Sequence, residues 1–522
     1  MRALAHRLIC CTALATFGLS APGAAWAQTA VQPDQPLSVI DWLGQQKPPQ
    51  GDRANPNPNE PPVARTGTAP AVLTTPLAEG SPREIGIVPP SVTGLPTDLW
   101  VGSDPDTLIA RIANLPEMTL PAAQSLLYTV LLADALAPQG KAVAGDALAL
   151  ARVDKLVQLG ALDPALSLIE QAGVTTSPDH FDQWMRISLL TGTEDRACAV
   201  LAASPHLTRD YGARILCSAR GGEWENAALT FGSAQALGLM PEYRLDLLDR
   251  FLNPDLYEEA APLAVPRKMD PLSFRLFEAI GERLPTGALP RPYAVADLRD
   301  LAGWKAQLEA AERLTRAGAL PDNHLLGLYT DRKPAASGGI WDRVATLQRF
   351  DTALKTDSAE AVAKTLPAVW DAMRDADLET AFASLFAERL AEIPLEGPAA
   401  RTAFEIGLLS PRYEATAAAA PDDPQTALLR AVAFGDASTT RPQTPVAAAI
   451  FDAFKDAPPL SDLVEKARTK RLGEAVLHLL DLLEDGAQGD ANALRDALAT
   501  LRALGLEDTA RRAALQILLL DV

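Results

Sequence analysis

The chain has 522 residues, with 47 basic side chains against 66 acidic ones and a formal net charge of −19. So acidic a chain repels nucleic acid and anionic lipid, which are held by basic surfaces, and neither is an expected partner. Nearly half the residues are hydrophobic but only 5% are aromatic, and alanine and leucine, both strong helix formers, dominate the apolar set.

The first residues read as an address. Arg2, His6 and Arg7 form a basic start, Leu8 to Leu19 an apolar stretch, and Ala25-Trp26-Ala27 a small-x-small cleavage site, the order of a secretory signal peptide. The apolar stretch is too short to span a bilayer as a helix. Residues 1–27 are therefore an expected signal peptide, cut near Ala27, which sends the protein to the bacterial periplasm or the medium. Cys10 and Cys11 lie inside the apolar stretch, away from the cut, which argues against a lipoprotein signal. Cleavage removes Arg2 and Arg7 and no acid, leaving 45 basic residues against 66 acidic ones, a net of −21. No later stretch reaches the roughly 18 apolar residues of a spanning helix, so no transmembrane segment is expected in the mature chain.

Residues 28–96 hold 14 of the 42 prolines and show neither a helical nor a strand period. They read as a disordered, Pro-rich tether. One apolar island interrupts it at 37–43, where Ile40, Asp41, Trp42 and Leu43 form a partner-docking motif or fold back onto this chain's own helices. A second patch, Glu84 to Pro90, reads as a short extended lead into the fold.

Beyond residue 95 the periodicity is helical. Leu108, Ile109, Ile112 and Leu115 share one helix face, and Pro116 ends it. Pro121 opens the next helix, with Leu126, Leu127, Val130 and Leu131 on one side. Helices are predicted at 147–159, 164–172, 181–190, 195–203, 210–219 and 225–237, and longer ones at 271–284 and 294–317. No alternating run of Val, Ile, Thr or Tyr is long enough to predict a strand in this part. The organisation expected is a helical repeat array over 97–410, a loose connector over 411–446 with one short helix, and C-terminal helical hairpins over 447–522. There Leu494, Leu498, Leu501 and Leu504 form an apolar stripe.

Within the array one pattern recurs. Gly160 is followed by Ala165, Gly192 by Ala197 and Gly222 by Ala227, the glycines lying 32 and then 30 residues apart. A looser copy pairs Gly473 with Gly505, again 32 residues on. A glycine that ends one helix, an acidic turn and a small residue early in the next make a helical hairpin, and hairpins at this period stack into a solenoid. Gly222, Glu223, Trp224, Ala227, Phe231 and Ala234 stand in a register that resembles the tetratricopeptide repeat. The resemblance covers roughly residues 142–240 well and one C-terminal hairpin loosely, and the first-helix signature of that family is largely missing. It implies a degenerate, all-α, right-handed hairpin solenoid that binds protein or peptide on a concave face.

Two cysteines remain after export, Cys198 and Cys217. Consecutive antiparallel helices bring them near each other, and an oxidising compartment permits a disulfide. The alternative is a pair of buried thiols. Four histidines remain, His180, His206, His324 and His478. None pairs with another at metal-ligand spacing, and no HExxH, GxSxG, P-loop or GxGxxG motif occurs. No catalytic, cofactor or metal residue is predicted. The expected function is a non-enzymatic protein–protein interaction scaffold or adaptor in the cell envelope. The alternative is a protein that binds or cleaves cell-wall glycan, because some periplasmic lytic transglycosylases carry a helical superstructure resembling this layout. Their lysozyme-like domain with its catalytic glutamate has no recognisable version here.

Overall fold

Proline and glycine set the helix boundaries along the chain. Pro105, Pro121, Pro178, Pro271 and Pro445 each stand at the start of a helix, where the missing N–H is not needed. Gly160, Gly192 and Gly222 have φ of 86°, 78° and 84°, left-handed backbone that side-chain-bearing residues rarely adopt. In the computed structural model residues 84–139, 142–299, 301–420, 423, 426–436 and 441–520 are described. They all belong to one compact unit, 74–522. The expected signal peptide, most of the tether and the island with Ile40, Asp41, Trp42 and Leu43 lie outside the described residues.

The protein is largely α-helical, with 24 α-helices among the described residues. Most helices pack against their sequence neighbours. Ala142–Leu159 pairs with Leu162–Ala172, Tyr211–Arg220 with Trp224–Ala236, Ile340–Leu354 with Ala359–Arg374, and Leu472–Ala487 with Ala491–Ala503. The small residues of the recurring pattern sit in these interfaces. Ala165, Ala197, Ala227 and Ala234 are each fully buried, which lets backbones approach closely. Phe231 is partly buried against the core. Trp224, half exposed, rests its ring 5.9 Å from that of Phe251.

Several expectations need correction. Residues 84–96 belong to the packed unit rather than to a tether. Glu84–Ile85 pairs antiparallel with Ala135–Leu136, so one minimal strand pair exists where none was expected after residue 95. Ile85 and Leu95 are buried. The helix predicted over 271–284 stops at Ala279, with Gly281 at φ 84° just beyond. The one predicted over 294–317 divides into a 3-10 segment, Arg291–Leu298, and the helix Trp304–Arg316, because Gly303 takes extended backbone between them. The connector at 411–446 contains two helices, Tyr413–Ala419 and Ala427–Phe434, which bury Tyr413, Ala417, Val432 and Ala433. Gly473 ends no helix. It lies in the first turn of Leu472–Ala487, and the left-handed residue of that turn is Lys470, with φ 60°.

An early helix of the unit meets the last one. Pro121–Leu132 packs on Glu507–Leu519 and on Leu472–Ala487. The backbone N–H of Ala122 donates to Gln516 Oε1 at 2.8 Å, and Arg111 pairs with Asp481 at 2.9 Å. One hydrophobic core accordingly joins residues from 85–296 to residues from 408–515, while a second core fills 294–409. The array thus closes on itself.

A disulfide joins Cys198, on the helix Glu194–Ala203, to Cys217, on Tyr211–Arg220, with their Cα atoms 4.8 Å apart. It spans 19 positions of sequence. Replacing both cysteines with serine is expected to lower unfolding stability by about 3 kcal/mol through loop-closure entropy. The test is a urea titration of oxidised, reduced and C198S/C217S protein. The reduced and doubly substituted forms should share a midpoint below that of the oxidised protein.

Candidate functional site: a central cavity with an arginine wall

A concavity of about 1940 Å³ opens among the described residues. Its walls come from widely separated parts of the chain. Gln124 and Tyr128 arrive from Pro121–Leu132, Arg313 and Arg316 from the end of Trp304–Arg316, Asp322 from Asp322–Asp331, Ser384 from Glu379–Ala391, and Arg512 and Gln516 from the last helix. The segments after two of the recurring glycines also reach it, through Asp163 and Thr193. Those glycines make the approach possible. A Cβ on Gly160 would stand 2.7 Å from Leu314 Cδ2 and 3.1 Å from Arg291 Cγ, and one on Gly192 would stand 3.0 Å from Arg299 Nη1. Tight turns therefore press the N-terminal hairpins against the arginine-bearing stretch. Gly222 has nothing within 4 Å of its added Cβ, and its hairpin does not share in the cavity.

Polar contacts fix the walls. Tyr128 Oη donates to the Ala317 carbonyl at 2.9 Å, and burial pushes its phenol well above the ordinary range. Gln124 donates to the carbonyls of Met118 at 2.7 Å and Arg316 at 3.1 Å. Arg299 grips Glu278 with both carboxylate oxygens at 2.7 and 2.8 Å. Burial pushes the Glu278 carboxyl upward, but Arg299 and Arg275 outweigh it and hold the group below its usual value. Arg275 in turn meets the fully buried Glu194 at 2.9 Å. Arg512 pairs with Asp508 at 2.9 Å and lies over the Tyr413 ring. These arginines are neutralised. Asp322 differs, because burial pushes its carboxyl upward and the Ser384 hydrogen bond only partly offsets this.

The site residues predicted from sequence fall into three groups. Ala165, Ala197, Cys198, Cys217, Gly222, Trp224, Ala227, Phe231 and Ala234 shape helix packing and do not line the cavity. Gly160 and Gly192 support its wall. Ile40, Asp41, Trp42 and Leu43 lie outside the described residues. Arg291, Arg299, Arg313, Arg316 and Asp322 were missed. Arginine every third or fourth position in an amphipathic helix reads as an ordinary solvated face, and the only local hint was the cluster of Arg313 and Arg316 in one helical turn. Among the described residues no group of three or more His, Cys, Asp or Glu side chains could hold a metal ion, and no helix is long and apolar enough to cross a membrane. In comparisons with known proteins, the chain matches no family model, no curated protein and no solved structure.

Proposed function

We propose that this chain is an exported, non-enzymatic interaction scaffold or adaptor of the bacterial cell envelope, and that its arginine-walled cavity receives a segment of a partner protein. The observation that carries the reading is the cavity itself. At about 1940 Å³ it exceeds the roughly 300–1,000 Å³ typical of small-molecule sites, and its wall mixes arginines, a tyrosine and amide side chains suited to a peptide. The sequential hairpins support a degenerate, right-handed solenoid of tetratricopeptide-like type as the frame. The Cys198–Cys217 disulfide is consistent with an oxidising compartment such as the periplasm.

A second reading, binding or cleavage of wall glycan, is favoured by Asp322, a desolvated carboxyl that lines the same cavity as Tyr128. One experiment separates the two. Crosslinking in cells followed by mass spectrometry compares the wild type with W42S/L43S, and purified wild type and D322N are incubated with peptidoglycan. Protein partners crosslinked by the wild type, with no soluble fragments released from peptidoglycan, support the scaffold. Fragments released by the wild type and not by D322N would overturn it in favour of glycan chemistry. Loss of the partners from W42S/L43S would assign the contact to the apolar island, and their persistence to the helical unit.

A further inference from the structure

Arg291, Arg313 and Arg316 gather on one part of the cavity wall. Their charges are poorly answered. Arg313 donates to the carbonyls of Thr286 at 3.2 Å and Leu289 at 2.7 Å, and Arg316 to that of Ala376 at 3.3 Å. Neither has a carboxylate partner among the described residues. Arg291 is paired with Glu117, a side chain two-thirds exposed to water, so solvent screens that pair. The Nε of Arg291 is buried with no hydrogen-bond partner. Burial, then the charges of Arg313 and Arg316, push the Arg291 guanidinium down from its ordinary value, and burial and Arg316 do the same to Arg313. Three mutually repelling cations share this wall, Arg291 and Arg313 half-buried and Arg316 exposed, in a protein whose net charge is −19.

A guanidinium carries more N–H donors than these carbonyls use, and its fork suits carboxylate oxygens. At physiological ionic strength charges are screened beyond about 8 Å. A carboxylate seated against the triad therefore feels these three arginines more strongly than the distant acidic surface. Glu117, Asp163, Asp322, Asp377, Glu379 and Asp508 also line the cavity, so its occupant is not uniformly anionic.

We infer that Arg291, Arg313 and Arg316 form an anion subsite that takes the carboxylate side chains of an acidic peptide segment of the partner. The inference rests on the scaffold reading and deepens it by naming the chemistry of the partner. Nucleic acid is disfavoured, because a long polyanion would extend past the triad onto an acidic surface.

The test is fluorescence anisotropy at about 0.15 M salt, with the whole protein and an end-capped, fluorescein-labelled glutamate oligomer. A glutamine oligomer of the same length is the uncharged control. The wild type should bind the glutamate oligomer and not the glutamine one. R316Q, which loses one weak carbonyl contact, should weaken binding about tenfold, one lost charge-assisted pair. R313K/R316K, which keeps the charge and loses the fork, should fall between the wild type and R316Q. Thermal melts should be alike for all three proteins. Equal binding by wild type and R316Q, or equal binding of both oligomers, would overturn the subsite. Displacement of the peptide by inorganic phosphate at equal molar concentration would assign the arginines to a small free anion and also overturn the peptide. If the glutamate oligomer fails to bind while wild-type protein still crosslinks to a partner in cells, the anion subsite falls and the scaffold stands. If the crosslinks fail too, both fall.

Discussion

Replacing Trp100 with alanine is expected to destabilise the helical unit by about 3–5 kcal/mol, the range for emptying a fully buried aromatic site. Trp100 is fully buried and lies where the start of the unit meets its end. Gly473 has no side chain because Trp100 occupies the space, and an added Cβ would stand 2.2 Å from Trp100 Cζ3. The backbones are tied on either side, Gly473 N–H donating to Leu99 O at 3.0 Å and Gly102 N–H to Lys470 O at 2.9 Å. Gly473→Val should therefore also be destabilising, by overpacking against a ring that cannot move aside. The two changes should not add, because W100A makes room for the valine, and the double variant should be more stable than the sum of the single losses predicts. Hydrogen exchange supplies the local readout. Protection should fall together in residues 95–103 and in the first turns of Leu472–Ala487. Loss at one end only would show that the two ends are not energetically joined.

The second large effect concerns Arg152, a guanidinium only 2% exposed. Its Nε donates to Leu131 O at 2.7 Å, Nη1 to Ile85 O at 2.8 Å and Nη2 to Ala133 O at 2.8 Å. Burial pushes its pKa down to about 10, with Asp134 partly opposing. One side chain thus satisfies carbonyls of the helix Pro121–Leu132, the chain just after it and the strand Glu84–Ile85. Arg152→Met keeps most of the apolar stem and leaves these carbonyls without their donors. Each unsatisfied buried carbonyl costs about 1–3 kcal/mol, and partial relaxation of the strand brings the expected total to about 3–5 kcal/mol. Urea denaturation reads the loss, and faster exchange of the Ile87 and Val88 amides, which donate to Leu132 O, localises it. Unchanged exchange there would refute the role of Arg152 as the clamp on residues 84–88.

What the sequence made legible was local. Gly160, Gly192 and Gly222 announce helix ends because a positive φ excludes most other residues there. Ala165, Ala197, Ala227 and Ala234 announce close helix packing because nothing larger fits. Gly473 carries the same letter for a different reason, the ring of Trp100 some 370 positions away, and spacing alone could not separate the two cases. The closure itself was not legible, since hairpin periodicity reports neighbours in the chain and says nothing of whether an early helix meets the last. The arginine wall was hidden for the same reason. Arg291 opens a 3-10 segment and is flanked by Pro290 and Pro292, while Arg313 and Arg316 sit in the last turn of an amphipathic helix, where basic residues are ordinary. Tertiary packing, including the approach of the Gly160 turn to Arg291 and Leu314 and of the Gly192 turn to Arg299, places these residues on a shared concave surface.

The central claim is that the cavity holds a partner segment, and site-specific photocrosslinking tests it most directly. A photoreactive amino acid replaces Ser384, which lines the cavity, and, in a separate protein, Leu229, which is exposed and does not line it. The account predicts that the Ser384 probe captures one protein in cells, that R316Q weakens the capture, and that the Leu229 probe does not capture that protein. Capture of the same protein from both positions, or of wall glycan from Ser384, would contradict it.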